Sequence, residues 1–167
     1  MYELGIDPHM IVKKTKAALP FMSVPPDVAA YPEMVFGLFV IGMAFLISKM
    51  RKYIPVMFGS LLAGSLYFKI LVSMLVAAEV TVTFYDTMSA ICYSLFPIMV
   101  AWLIIGYSNC TPFMFFMVTI PAAIYASYIL QKFLDAIVNI KGVRMMIVFP
   151  AFIYNGFWLL FGRGLVN

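Results

Sequence analysis

Residues 54–77, IPVMFGSLLAGSLYFKILVSMLVA, carry a single charge, Lys69, in 24 positions. About 17–25 apolar residues make a helix long enough to cross a bilayer. In hydrocarbon every backbone N–H and C=O must find its partner inside its own segment, so such a run is a helix. The same texture recurs on both sides. Residues 35–48 form a shorter apolar run, closed by Lys49-Met50-Arg51-Lys52. Residues 87–107, 112–134 and 145–161 form three more, with Pro97, Pro121 and Pro150 inside them. Pro97 is expected to kink its span. Glu79 and Asp86 lie in one gap, and Ser108-Asn109-Cys110-Thr111-Pro112 forms a tight turn in the next. Gln131 to Asp135 and Lys141 to Arg144 mark the last. The expected fold is therefore all-α, a polytopic transmembrane helical bundle of five spans over residues 35–167, behind an N-terminal segment of residues 1–34.

Composition agrees. The chain has 167 residues, 65% hydrophobic and 11% charged. Soluble domains carry about twice that charged fraction. The length suits one compact bundle. A net charge of +4 without a basic stripe fits anionic headgroups and excludes a nucleic-acid footprint. Cys92 and Cys110 form no CxxC and no cluster with histidine, so they read as small apolar residues. The first 30 residues hold Asp, Glu and several prolines but no apolar signal region, so targeting is expected to come from the first span.

The N-terminal segment has its own pattern. Asp7-Pro8 is a helix start, Asp capping and Pro suiting the first turn. Over residues 8–19 a helical wheel puts Ile11, Val12, Thr15, Ala18 and Leu19 on one face. His9, Lys13 and Lys16 share the other, with Lys14 at its margin. This is the pattern of a short cationic amphipathic helix, with Ile11, Val12, Lys13 and Lys16 meeting a membrane surface or a partner. Pro20 ends it, and Pro25, Pro26 and Pro32 make an irregular connector. With the N-terminus in the cytoplasm, that side holds six basic residues (Lys13, Lys14, Lys16, Lys132, Lys141 and Arg144). The other side holds Lys49, Arg51, Lys52 and Arg163. That count favours a cytoplasmic N-terminus and a lumenal C-terminus. Ser60 and Gly64, Ala122 and Ala126, and Ala123 and Ser127 are small pairs at helical spacing, which let transmembrane helices approach closely.

Little in the chain points to catalysis. His9 is the lone histidine, so a histidine metal site or dyad has nothing to build from. No nucleophile-elbow, phosphate-loop or zincin motif occurs. No cofactor is expected. Lys69 is the one intramembrane charge. It reads as a snorkelling cation, as a structural partner of Glu79 or Asp86, or as a functional site.

One resemblance covers nearly the whole chain. Glu3-Leu4-Gly5-Ile6-Asp7 followed by Lys13-Lys14-Thr15-Lys16 resembles the start of the homology region of the Yip family, the Ypt/Rab-interacting membrane proteins. Asp27 and Pro32 stand where that family has an Asp-x-x-Gly-Pro element, here without its glycine and with one residue inserted. Tyr93-Ser94-Leu95-Phe96-Pro97 is similar to the family's third span, and Phe149-Pro150-Ala151-Phe152-Ile153-Tyr154 to its last. The resemblance implies a non-enzymatic integral membrane protein of ER and Golgi, supporting vesicle-mediated transport. It implies Rab-type small GTPases and another Yip-family membrane protein as partners, and a partner-contact role for Glu3, Leu4, Gly5 and Ile6. Two rival readings stand beside it. One is a small transporter or channel using Lys69 with Glu79 and Asp86. The other is a bilayer-shaping protein using the N-terminal helix.

Overall fold

The structure is a computed structural model that describes residues 7–19, 22–29, 54–76, 81–107, 111–138 and 144–163. Among them there is helix and connecting turn but no strand. In chain order the helices are α1 (Pro8–Ala17), α2 (Pro26–Ala29), α3 (Ile54–Leu75), α4 (Phe84–Ser94), α5 (Phe96–Tyr107), α6 (Pro112–Val138) and α7 (Arg144–Arg163). Three stretches are long and apolar enough to cross a membrane: Ile54–Leu75, Phe84–Ile105 and Phe113–Val138. α7 carries a shorter apolar stretch, Met145–Leu160. The expected first span, residues 35–48, lies outside the described residues.

The α4–α5 pair is the spine. Within its apolar window 78% of residues are buried, against 33% for α3 and 39% for α6. A helix apolar all round has no face to give to water and goes to the middle. Ile91, Tyr93, Leu95, Ile98 and Trp102 are shut in there, against Phe68 of α3, Phe133 of α6 and Trp158 of α7. α6 packs on α4, α5 and α7, so it is the second organising element.

A capping box starts α4. Asp86 N–H donates to Thr83 Oγ1 at 3.2 Å, and Thr83 N–H donates back to Asp86 Oδ2 at 2.9 Å. These bonds satisfy N–H groups that the first turn leaves orphaned. Pro97, the expected kink site, lies in the first turn of α5, just after the α4–α5 junction. It has no N–H to give and its ring crowds the preceding turn. Leu95 alone stands between α4 and α5, although its N–H keeps the ordinary α-helical partner, the Ile91 carbonyl, at 3.1 Å and also reaches the Cys92 carbonyl at 3.3 Å. The last large span differs from its expected end. α6 runs on through Gln131, Lys132 and Asp135 to Val138, four residues past the expected boundary at Leu134. That polar turn stays helical because it packs against the N-terminal segment instead of entering a loop.

Two of the small pairs sit where helices meet. At Gly64 of α3 a Cβ would stand 2.5 Å from the Tyr154 ring of α7, closer than any real side-chain carbon comes. Tyr154 O–H donates to the Ser60 carbonyl at 3.1 Å, so Ser60 and Gly64 together receive one tyrosine. Between α6 and α7, buried Ser127 meets buried Asn155, whose Nδ2 donates to Ser127 Oγ at 3.4 Å.

Candidate functional site

The N-terminal helix forms as its sequence dictates. Asp7 caps it, accepting from the His9 N–H at 2.9 Å, and Pro8 takes the first turn. Its placement is less obvious from sequence. α1 does not turn the whole Ile11, Val12, Thr15, Ala18, Leu19 face toward the bundle. Val12 and Leu19 are exposed and Ile11 is half-buried, while Lys14, Ala17 and Ala18 are buried. Lys13 and Lys16 are exposed. Lys14, which the wheel leaves at the edge of the polar face, is fully enclosed.

The surroundings of Lys14 explain how a cation survives there. Its Nζ donates to Ser89 Oγ of α4 at 2.6 Å. The ammonium also lies 5.4 Å from the Tyr93 ring centre and 5.9 Å from that of Phe133. Those two rings stack on each other, 5.5 Å apart and 22° from parallel. An ammonium over an aromatic face is held by the ring quadrupole, most strongly where water is excluded. Ala17 and Ala18 make the approach possible, since they add almost no bulk between α1 and the bundle.

A second set of bonds holds the other end of α1, whose last carbonyls have no partner within the helix. Lys132 Nζ of α6 donates to the Ala17 carbonyl at 2.7 Å and the Leu19 carbonyl at 3.4 Å. Tyr125 O–H donates to the Ala18 carbonyl at 2.8 Å. A cation at a helix C-terminus also matches the dipole. Three consecutive carbonyls are thus taken by two side chains of one helix more than 100 positions away. Tyr125→Phe is expected to lower amide-exchange protection of α1 by about fivefold, the effect of a neutral hydrogen bond of about 1 kcal/mol. Lys132→Met is expected to lower it further, because a charged donor is lost. Equal protection in wild type and both variants would show that this clamp does not hold the arm.

The remaining candidates fall elsewhere. Glu3, Leu4, Gly5 and Ile6 lie outside the described residues, directly before the capping Asp7. Lys69 is half-buried on α3. Asp86 is occupied by the capping box, and no ion pair joins it to Lys69. Glu79 is outside the described residues. Cys92 is enclosed in α4. Among the described residues no three His, Cys, Asp or Glu side chains gather where they could hold a metal ion. Sequence reasoning missed the Lys14–Ser89 contact and the Lys132 and Tyr125 clamp. The available signal was local: a lysine one turn before an Ala-Ala pair, and a lysine and tyrosine two turns apart on a long apolar helix. Comparison with protein-family models, with curated proteins and with solved structures finds no match for this chain.

Proposed function

We propose that this chain is a five-span, non-enzymatic membrane protein of the Yip type. It would act in vesicle-mediated transport between ER and Golgi, as a scaffold that recruits Rab-type GTPases and a related membrane protein. The observation that carries the reading is the fixed N-terminal arm. α1 is bound to the bundle through Lys14 and through its last carbonyls, with Lys13 and Lys16 left outward. A segment held this way fixes Asp7, the residue that follows the Glu3–Ile6 motif, against the bundle. In that motif Glu3 supplies a charge, Leu4 and Ile6 supply apolar side chains, and Gly5 adds no bulk.

The positions of the described helix ends are compatible with the five-span reading. α1 and α2 lie at the end where α4 begins and α6 finishes. α3 runs about 33 Å toward that same end, so Ile54 lies at the other. Ala29 and Ile54 therefore lie at opposite ends of the bundle. A Yip-type recruiter would place the α1 end in the cytoplasm and the C-terminus in the lumen of ER or Golgi.

The test is affinity capture from detergent-solubilised membranes with a C-terminal tag, comparing wild type with Glu3→Lys. The expected result is a Rab GTPase and a second multi-span protein in the wild-type eluate, both reduced at least fivefold in the variant. Recovery of neither from wild type would remove the trafficking reading and leave only a helical membrane bundle.

A further inference from the structure

The docked arm leaves one face of α1 uncovered. At about 100° per residue, Val12, Lys16, His9 and Lys13 follow one another around an arc of about 100°. All four are exposed. Lys14, Ala17 and Ala18, which α1 gives to the bundle, lie on the other side of the helix. Leu19, just past the helix end, is seven residues from Val12 and so falls on the same edge. Both are about half exposed. The face therefore has an apolar edge beside a cationic one, and it carries no acid.

The depth of this face follows from the anchors of α1. Lys132, which holds the Ala17 and Leu19 carbonyls, is 20 residues from Pro112, about 30 Å of helix and one hydrocarbon thickness. Ser89, which accepts from Lys14, is five residues past Phe84, about 7.5 Å from the start of its apolar stretch. Both anchors put α1 at the edge of the hydrocarbon, where headgroups begin. A helix at that depth buries its apolar edge among the upper acyl groups, while its lysines reach phosphate oxygens.

We propose that the outward face of docked α1 binds an anionic phospholipid surface. Lys13 and Lys16 donate to headgroup oxygens, and Val12 and Leu19 enter the acyl boundary. Ile11, expected at the surface from the wheel, is half-buried and takes no part. Charge complementarity selects the occupant. Two lysines with no acid on their face are drawn to a negative surface, whereas a choline headgroup cancels its own phosphate. The anionic leaflet of a cell membrane is the cytoplasmic one, so the choice of leaflet rests on the cytoplasmic N-terminus proposed above.

The experiment is amide exchange of the purified full-length protein in two kinds of nanodisc. One is phosphatidylcholine alone, and the other is phosphatidylcholine with about one third phosphatidylserine in both leaflets. Exchange over residues 8–17 is expected to be roughly thirtyfold slower with phosphatidylserine, the effect of two lysines at a negative surface. Exchange in α4 and α5 is expected to be equal in the two. Lys13→Gln with Lys16→Gln, at exposed positions where the fold tolerates them, is expected to abolish the difference. Val12→Asp, which puts an acid beside the lysines, is expected to do the same. Equal exchange of wild-type α1 in the two nanodiscs would overturn the proposal. So would a phosphatidylserine effect that survives the paired glutamines or Val12→Asp. Slowing that needs cytosolic extract and ignores phosphatidylserine would give the face to a protein and overturn it as well. Both leaflets are alike and no GTPase is captured, so failure here leaves the recruiter reading and its orientation standing.

Discussion

Lys14→Glu is expected to release the N-terminal helix while the bundle stays folded. The substitution puts a carboxylate where an ammonium now faces two aromatic rings. The faces of those rings are negative, so the attraction becomes repulsion. The site is also fully enclosed, and an uncompensated buried charge costs about 3–5 kcal/mol. The arm can avoid that cost by undocking, whereas the core cannot, so the arm is the element that yields. Amide exchange over residues 8–17 is expected to quicken at least a hundredfold, following about 1.4 kcal/mol per factor of ten. Exchange in α4 and α5 is expected to change little. Lys14→Met is the control. It keeps the stem and removes the charge together with its desolvation cost, so α1 is expected to stay docked. Unchanged protection of α1 in Lys14→Glu would show that this contact does not hold the arm. If the recruiter reading is right, Lys14→Glu also weakens capture of the GTPase without touching residues 3–6.

Gly64→Leu is expected to separate α3 from α7. The first carbon of the new side chain would already fall on the Tyr154 ring. Tyr154 must then leave its place, losing the hydrogen bond to the Ser60 carbonyl and its edge contacts with Phe68 and Trp158. Overpacking of this kind costs about 1–3 kcal/mol. Helix propensity works the other way, since leucine is better than glycine by about 0.8 kcal/mol. A net fall in stability therefore means that the collision outweighs the propensity gain. The expected result is a lower thermal midpoint in detergent, and a midpoint at least partly restored by Gly64→Leu combined with Tyr154→Ala. An unchanged midpoint in the single variant, or no recovery in the double, would show that Gly64 is not a point of close approach.

Both predictions rest on positions whose sequence signals differ in strength. The Ser60–Gly64 spacing was legible as a close-approach pair, but not that a tyrosine ring would be the occupant. The wheel of residues 8–19 was legible too, and α1 begins at the expected Asp7-Pro8. Its packing was not. Periodicity sorts residues by polarity, and by that criterion Lys14 belongs to a wet margin. What reverses the assignment is a hydroxyl on residue 89 and two stacked rings on residues 93 and 133, none of them near α1 in sequence.

By itself the sequence determined that the described chain is helical, where its main apolar stretches lie, that Pro97 interrupts the hydrogen-bond ladder of one of them, and which residue caps α1. These are local matters, settled by backbone hydrogen bonding within a segment and by the sterics of one ring. Tertiary structure alone decided that α4–α5 is the central helix, that α6 stays helical to Val138, and that Lys14 is enclosed while Lys132 closes the end of α1. Each of these depends on partners supplied by distant segments. A buried cation is tolerable only once its hydroxyl and aromatic neighbours are assembled around it, and helix-end carbonyls can be satisfied only by donors that folding brings to them.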